Sequence, residues 1–233
     1  MPMLLDREYK IPSKYNSKIS LKVVPGHFAT SQSHINFYMD MTTLKVRHCD
    51  AAEVAKEMAK EYQYSTPVDT IVCMDGCEII GSCLAEELTR NGIMSLNRHN
   101  SMYIITPELD KNGQMIFRDN LQPMVQGKNI LLLLASATTG KTIARSLDCI
   151  QYYGGIIQGV SAIFSAAGEI HGQTVHSIFY SGSSGISDIP FQRMSTLQEQ
   201  GKDRCHCKWF WLFRIMISNC IFRNYSSEGS LVL

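Results

Sequence analysis

Apolar and polar positions in the first third of the chain predict two extended segments followed by a helix. Residues 19–24 (ISLKVV) alternate as a short strand, residues 25–28 (PGHF) are typical of a turn, and residues 33–41 (SHINFYMDM) form a second extended segment. A helix is predicted to begin at Asp50, an N-cap residue type followed three positions later by Glu53. We expect this helix to bury one face, because its apolar side chains recur at helical spacing.

Two apolar runs farther along the chain each lead into a polar loop and then into a helical pattern. The loops occupy residues 74–78 and 135–142. The strands are predicted at 69–76, 128–134, 159–167 and 175–181, and the helices at 77–92 and from Ile143 to the Gly154–Gly155 pair. This order predicts an α/β fold with a parallel-rich central sheet flanked by helices. Ligands bind beyond the carboxyl ends of the strands in such sheets, so we expect both loops to share one crevice.

The composition of the chain indicates which partners and which cellular compartment to expect. The 233 residues are 45% apolar and 18% charged, which is typical of one globular domain with or without an appendage. A formal net charge of +1, with scattered basic residues, predicts neither nucleic acid nor membrane as a partner. The N-terminal MPMLLDREYK lacks the pattern of a secretory signal, and the eight cysteines form no disulfide framework. We therefore expect a cytoplasmic protein with reduced cysteines.

Residues 131–142 (LLLLASATTGKT) join a buried-strand pattern to a loop suited to phosphate. Backbone N–H groups at a helix N-terminus, reinforced by the helix dipole, bind a dianion. Threonine hydroxyls and one ammonium group add further donors. The candidate phosphate-binding residues are Ser136, Ala137, Thr138, Thr139, Gly140, Lys141 and Thr142.

One interpretation of this loop is a Walker A motif of a P-loop NTPase. Residues 135–142 match G-x-x-x-x-G-K-[ST] except that Ala135 replaces the first glycine, which permits a tight turn that a Cβ disfavours. A P-loop enzyme also needs an acid at the end of a neighbouring strand to organise magnesium, and the strands after this loop end in none. A phosphoribosyltransferase loop is the second interpretation, and it explains more of the chain.

The segment GKNILLLLASATTGKTIARSL resembles the signature of type I phosphoribosyltransferases, in which a strand leads through two acids into T-T-G-G-T. The segment 33–41 is similar to the S-x-x-x-x-Y-x-D segment of orotate phosphoribosyltransferases, with Tyr38 and Asp40 at its landmarks on the hood or base side. Asp110-Lys111-Asn112-Gly113 predicts a hairpin within residues 101–117, where that family has its hood. The resemblance covers residues 19 to 182. By its position, it implies a pyrophosphate loop at Met74, Asp75, Gly76 and Cys77.

What the resemblance implies is a phosphoribosyl transfer from phosphoribosyl pyrophosphate to a nucleobase, of the orotate type, with Mg²⁺ on the leaving group and a homodimer as the assembly. Two departures bear on this activity. Leu134 and Ala135 stand where the family has the acidic pair that holds the ribose hydroxyls. Ser165 and Ala166 stand where an Asp-Arg pair is expected beside the base. The catalytic residues therefore stay unassigned, and a sensing module that binds phosphoribosyl pyrophosphate or a nucleoside monophosphate without turnover is the alternative.

The domain prediction assigns residues 1–200 to the phosphoribosyltransferase-like domain, with a hood built from the N-terminal segments and the hairpin. Residues 201–233 form an atypical tail that contains both tryptophans of the chain. We hypothesise that this tail is aberrant, for example translated from a shifted reading frame. Cys205-His206-Cys207 offers three metal ligands, but a structural zinc site needs four, so no metal site is predicted.

Overall fold

The computed structural model describes residues 8–29, 34–90, 96–97, 101–110, 114–138, 140–166 and 168–181, with the backbone alone at 25–29 and 34–37. All of them lie in the first of two units of the chain, Met1–Ser195. The strands are β1 Tyr9–Pro12, β2 Ser20–Ala29, β3 His34–Asp40, β4 Thr70–Cys73, β5 Tyr103–Ile105, β6 Glu108–Leu109, β7 Met115–Ile116, β8 Asn129–Ala137, β9 Ile156–Ser165, β10 Glu169–Ile170 and β11 Gln173–Tyr180. The helices are α1 Thr42–Val46, α2 His48–Ala59, α3 Glu78–Arg90 and α4 Lys141–Tyr152.

A six-stranded sheet in the order β10-β11-β9-β8-β4-β5 forms the centre of the fold. Its strands pair in parallel except for the short β10, which pairs antiparallel with β11. The predicted α/β fold with a parallel-rich central sheet flanked by helices is therefore confirmed. Within the described residues no helix is both long and apolar enough to cross a membrane.

The order of strands reverses between β4 and β8. From β4 the chain passes through α3 to β5 at one edge, whereas from β8 it passes through α4 to β9 and then to β11 on the other side. The two strands are in register from Thr70 opposite Ile130 to Cys73 opposite Leu133. A crevice forms at such a reversal, beyond the carboxyl ends of the two strands, because the helices that follow them leave in opposite directions.

Side chains of β8 alternate between the two faces of the sheet, as the pleat of a strand requires. Leu131 and Leu133 pack in one buried cluster with the apolar faces of α2 and α3. Leu132 and Leu134 pack in a second cluster with the apolar face of α4. Burial on both faces explains why this strand is a continuous leucine run and shows no alternation in the sequence.

The N-terminal segments form a separate three-stranded antiparallel sheet in the order β1-β2-β3. The prediction of a turn at residues 25–28 was wrong, because β2 runs through them to Ala29. Pairing with β3 is maintained from Pro25 opposite Phe37 to Phe28 opposite Ile35, with a register irregularity between. A bulge accommodates proline in a strand, since the residue has no N–H to donate to the ladder.

Two helix boundaries differ from the prediction. Helix α2 begins at His48 and its N-cap is Arg47, so Asp50 lies in the first turn and not at the cap. A short helix, α1, precedes it, and the Asp40 carboxylate accepts the backbone N–H of Thr42 at 2.9 Å at its start. The acid that starts helical structure here is therefore Asp40.

The stretch predicted as a hairpin over 101–117 divides between two sheets. Strand β5 pairs in parallel with β4 at the edge of the central sheet. Only β6 and β7 form the hairpin, with Glu108 opposite Ile116 and Leu109 opposite Met115, and its turn at 111–113 lies outside the described residues. A hood made from this hairpin and the N-terminal sheet stays a prediction.

Packing of α3 against β4 gives a direct test of the core. A Cβ on Gly81 would lie 2.4 Å from the Cys73 Sγ, a buried atom. We expect Gly81→Ala to destabilise the protein by about 1–3 kcal/mol, because overpacking outweighs the gain of about 1 kcal/mol in helix propensity. Urea denaturation measures the change. The double variant Gly81→Ala/Cys73→Ala removes the clashing sulfur and should recover most of the loss, and an unchanged loss would contradict this packing.

Candidate phosphate site

The loop after β8 is shorter than the sequence suggested. Strand β8 continues to Ala137, whose carbonyl accepts the N–H of Ala166 at 2.8 Å, so Ser136 and Ala137 belong to the strand. Only residues 138–140 lie between β8 and α4. A Walker A loop would need non-strand backbone from residue 135 onward, and the ladder between β8 and β9 occupies that position. The structure thus counts against the P-loop interpretation.

Gly140 is the N-cap of α4, with φ +71°. Glycine adopts this left-handed backbone conformation without steric penalty. A Cβ at this position would also approach the Ile170 Cγ2 at 3.0 Å, a tight contact that adds to the conformational preference for glycine. The first intrahelical bond runs from the N–H of Ala144 to the carbonyl of Gly140.

The N-terminus of α4 is left free of the usual caps. No side chain caps it within the described part of the chain, and its first turn contains no acid. The N–H groups at the start of a helix have no intrahelical partner and carry the positive end of the helix dipole. This end of α4 therefore offers donors to an external anion.

A pocket of about 520 Å³ opens at this helix end. Its lining combines the loop, the first turn of α4 and the tip of the turn between β10 and β11. The lining residues are Thr138, Gly140, Lys141, Ala144, Arg145, Glu169, Ile170 and His171. Two cations and an imidazole face one carboxylate, so the pocket favours an anionic ligand.

Arg145 and His171 were missed by the sequence analysis. Arg145 lies one helical turn after Lys141, a spacing that places both side chains on one face of α4. His171 and Gly172 have φ values of +51° and +72° and form the two-residue turn between Ile170 and Gln173. Consecutive positive φ values are typical of a type I′ hairpin turn, and a His-Gly pair between short extended segments is the signal that was available in the sequence. Within the described residues neither side chain forms a hydrogen bond or an ion pair.

The predicted phosphate-binding residues are thus placed unequally. Thr138, Gly140 and Lys141 line the pocket. Ser136 is half-buried and Ala137 buried in β8, while Thr142 is exposed on the first turn of α4. Thr139 lies outside the described residues.

The second loop, after β4, lies beside β8 itself, before that strand ends. The N–H of Met74 donates to the carbonyl of Leu133 at 2.8 Å, which holds the loop against β8. Asp75 and Gly76 both have positive φ, +56° and +76°. The side chains of Met74 and Cys77 are buried, so only the backbone of these two residues is available to a pyrophosphate.

The Asp75 carboxyl lies between opposing influences. Crowding by protein atoms raises its pKa, whereas the Lys45 ammonium and the backbone N–H of Ala135 lower it. The net effect is a raised pKa of the Asp75 carboxyl, although the residue is exposed by surface area. The Ala135 contact shows that the carboxylate reaches across to β8.

Lys45 holds this loop in place from the buried side, and its role was not predicted from the sequence. Only 6% of the residue is exposed, and its Nζ donates to the carbonyl of Asp75 at 2.7 Å. A buried charge of this kind is uncommon unless it is paired. The positive φ at Asp75 is thereby held by a charged hydrogen bond.

Tyr38 and Asp40 lie at the end of β3, opposite Val24 and Lys22, and both are half-buried. The Asp40 carboxylate accepts the Thr42 N–H, as noted for α1. Neither residue lines the 520 Å³ pocket, and none of residues 74–77 does. The pocket is therefore lined by the loop after β8, while the loop after β4 contacts β8 outside the pocket.

The solved structures to which this chain is similar include phosphoribosyltransferases, at low sequence identity. The sequence matches no protein-family model and no curated protein. Among solved structures, orotate phosphoribosyltransferase of Mycobacterium tuberculosis H37Rv in complex with inorganic phosphate is similar at TM-score 0.48 and 16% identity, over 71% of this chain and 89% of that one. Adenine phosphoribosyltransferase of Thermoanaerobacter pseudethanolicus has TM-score 0.45 and 14% identity, over 76% and 97%. UMP synthase of Leishmania donovani has TM-score 0.48 and 15% identity, over 68% and 33%. The function proposed below rests on the chain's own residues.

The link between Lys45 and the loop can be tested through Cys77. Burial raises the pKa of this thiol to about 12, and the thiolate is the form that iodoacetamide alkylates, so Cys77 is expected to react slowly. We expect Lys45→Met to accelerate its labelling about tenfold, because a charged hydrogen bond of about 1.5 kcal/mol no longer holds the loop closed. Peptide mass spectrometry measures the rate.

Loss of the Lys45 charge alone would raise the pKa of Cys77 further and slow the reaction, so faster labelling reports opening of the loop. Lys60→Met is the matched control, because Lys60 is exposed and paired with Glu57 at 2.8 Å. Equal rates in the native protein and the Lys45 variant would contradict the anchoring role.

Proposed function

We propose that the N-terminus of α4 and its pocket bind the 5′-phosphate of a phosphoribosyl compound, and that the protein is a phosphoribosyltransferase-like protein acting on phosphoribosyl pyrophosphate. The observation that carries the proposal is the uncapped, acid-free N-terminus of α4 facing a pocket lined by Lys141 and Arg145. The resemblance of residues 131–142 to the phosphoribosyl pyrophosphate loop names the ligand class.

A phosphate monoester fits this pocket by charge and by number of acceptors. Its dianion accepts hydrogen bonds from the free N–H groups of α4 and from the Thr138 hydroxyl, and it pairs with the two cationic side chains. The opposing carboxylate of Glu169 reduces this attraction, so the backbone donors carry much of the specificity. From this anchor the sugar extends along the strand ends towards the loop after β4.

The reaction proposed is displacement at the sugar carbon C1. The bond from C1 to the pyrophosphate oxygen breaks with its electron pair on the leaving group, a bond from C1 to a ring nitrogen of the base forms, and the nitrogen loses its proton. The backbone of residues 74–77 would face the departing pyrophosphate. An orotate-type pyrimidine is the base implied by resemblance, although Ser165 and Ala166 provide no cation for its carboxylate.

Mg²⁺ is part of the proposal by resemblance. The described residues contain no group of three or more potential metal-ligating side chains, so this part of the chain provides no closed protein cage for a metal. Mg²⁺ is commonly held by one or two carboxylates together with substrate phosphates, and a carboxylate at Asp75 fits that mode. The bound ion would neutralise charge on the leaving pyrophosphate.

A sensing module without turnover is the second candidate, and one observation favours it. Leu134 is 0% and Ala135 6% exposed, and neither offers a carboxylate to the positive charge that develops on the sugar. Such a module would use the same pocket for phosphoribosyl pyrophosphate or a nucleoside monophosphate.

A homodimer and a cytoplasmic location complete the proposal. The first is implied by the family resemblance and the second by the cysteine usage. Light scattering on the full chain tests the assembly, and a mass equal to one chain would contradict the dimer.

Binding and turnover separate the two candidates. Calorimetry with phosphoribosyl pyrophosphate and with mononucleotides measures binding, and pyrophosphate release over a panel of bases measures transfer. Binding with release supports the transferase, and binding without release for any base supports the sensor. Absence of both removes the phosphate site itself.

The pocket predicts a specific role for Arg145. We expect Arg145→Gln to weaken binding of phosphoribosyl pyrophosphate about tenfold, because one charge-assisted hydrogen bond is worth about 1.5–3 kcal/mol and this side chain is partly screened by solvent. The matched control is Arg90→Gln on α3, where the arginine is exposed and paired with Glu86. Equal weakening in both variants would show a general charge effect and contradict a site at the pocket.

A further inference from the structure

The loop after β4 holds a carboxylate in an unfavourable backbone conformation. Asp75 has φ +56°, in the left-handed region that is uncommon for residues other than glycine and, less often, Asn and Asp. Backbone conformations of this kind are concentrated at functional sites. No packing requirement accounts for it, because the residue is exposed.

Lys45 shows that the conformation is actively maintained. Its ammonium group is buried and donates to the Asp75 carbonyl, and a Cβ on Gly76 would lie 3.9 Å from its Nζ. Within the described residues the bond to the Asp75 carbonyl is the one hydrogen bond that the Lys45 ammonium forms. Burial of a charge is unfavourable, so this charged group stabilises the backbone of a single loop residue. The consequence is a fixed direction for the Asp75 side chain.

The Asp75 side chain points towards β8. Strand β8 reaches Ala135 two residues after the last register pair between Leu133 and Cys73, at the point where β4 has ended. The Asp75 carboxylate interacts with the N–H of Ala135, which has no further β4 residue beside it. The Asp75 carboxylate, from the loop after β4, thus lies beside Ala135 of β8, a position that has no polar side chain of its own.

We propose that Asp75 binds the vicinal hydroxyls of the ligand's sugar, with Lys45 as the residue that positions it. The proposal rests on the phosphate site described above. Ala135 lies three residues before Thr138, a span of about 10 Å at about 3.3 Å per residue, which is comparable with the length of a sugar monophosphate. A phosphate at α4 therefore leaves its sugar within reach of the carboxylate.

The chemistry selects a ligand class. An ionised carboxylate accepts hydrogen bonds only and has two oxygens, so it fits two adjacent hydroxyl donors. Ribose 5-phosphates present such a pair at C2 and C3, and 2-deoxyribose 5-phosphates present only one. The site should therefore prefer ribose over deoxyribose through a residue of the β4 loop.

The test measures three affinities by calorimetry on the full chain: ribose 5-phosphate, 2-deoxyribose 5-phosphate and inorganic phosphate. EDTA is present throughout, so that no metal bridges the carboxylate and the ligand. We expect the native protein to bind ribose 5-phosphate about tenfold more tightly than the deoxy compound, as a charged hydrogen bond implies. Asp75→Asn should abolish this ratio and leave the affinity for inorganic phosphate within about twofold, because the phosphate anchor is untouched.

The variants are chosen to keep the fold intact. Asparagine and glycine both tolerate the left-handed conformation, so Asp75→Asn and Asp75→Gly avoid added backbone strain. Glu78→Gln is the matched control. This exposed acid lies three residues farther on, and its carboxylate accepts the Thr106 hydroxyl at 3.0 Å. It should retain the full ratio.

Lys45→Met tests the positioning role separately. It should reduce the ribose-to-deoxyribose ratio while inorganic phosphate binds as before, an effect that a purely structural residue would not produce. Retention of the ratio in both Asp75 variants, or absence of a ratio in a native protein that binds phosphate, would overturn the inference about Asp75 and leave the phosphate site standing. Failure of the native protein to bind any of the three probes would overturn the phosphate site and this inference with it.

Discussion

The parallel pairing of β4 with β8 is the constraint on which the rest of the site depends. Four residue pairs, from Thr70–Ile130 to Cys73–Leu133, align the end of β4 with the interior of β8. The loop after β4 begins there, whereas β8 continues to Ala137 before its own loop begins, so the register of the pairing fixes the separation of the two loops. Burial makes the register robust. A slip of one residue would turn Leu132 and Leu134 from the α4 side to the α3 side, against two cores that are already filled. Few substitutions in either loop can therefore change where a ligand would lie.

The two loops differ in the charge that they present to a ligand. The loop after β8 ends at an uncapped helix, and its pocket adds Lys141 and Arg145, so it attracts an anion. The loop after β4 exposes a carboxylate and keeps its cation, Lys45, buried beneath the backbone. A ligand that spans both must present a strong acceptor at one end and hydroxyl donors at the other. Sugar phosphates have this polarity, whereas inorganic anions satisfy only the first loop and neutral sugars only the second.

Much of the central fold was predictable because its signals are local. The leucine run of β8, the glycine pair after α4 and the helical spacing of α3 each depend on neighbours within a few residues. Errors arose where tertiary pairing overrides local preference. Pro25 and Gly26 have turn propensity, yet β3 provides a partner strand and the chain continues through them. Residues 103–105 looked like one arm of a hairpin, but β4 was an unpaired edge that they complete. Lys45 and His171 were not predicted, because their importance comes from residues distant in the sequence: Lys45 bonds to Asp75, and His171 lines the pocket with Arg145.

The structure gives positions 134 and 135 an environment in which an acidic side chain would be unfavourable. Leu134 packs under α4 in the core, and a carboxylate there would be buried in apolar surroundings at a cost of several kcal/mol. Strand character extends to Ala137, so the positions that would carry the acids are ladder positions and not loop positions. At the end of β4, by contrast, the exposed Asp75 carboxylate interacts with the backbone N–H of Ala135 without entering the core. The hydrogen bond from Lys45 to the Asp75 carbonyl holds this loop in place, so the carboxylate that lies beside this part of β8 comes from the β4 loop and not from β8 itself.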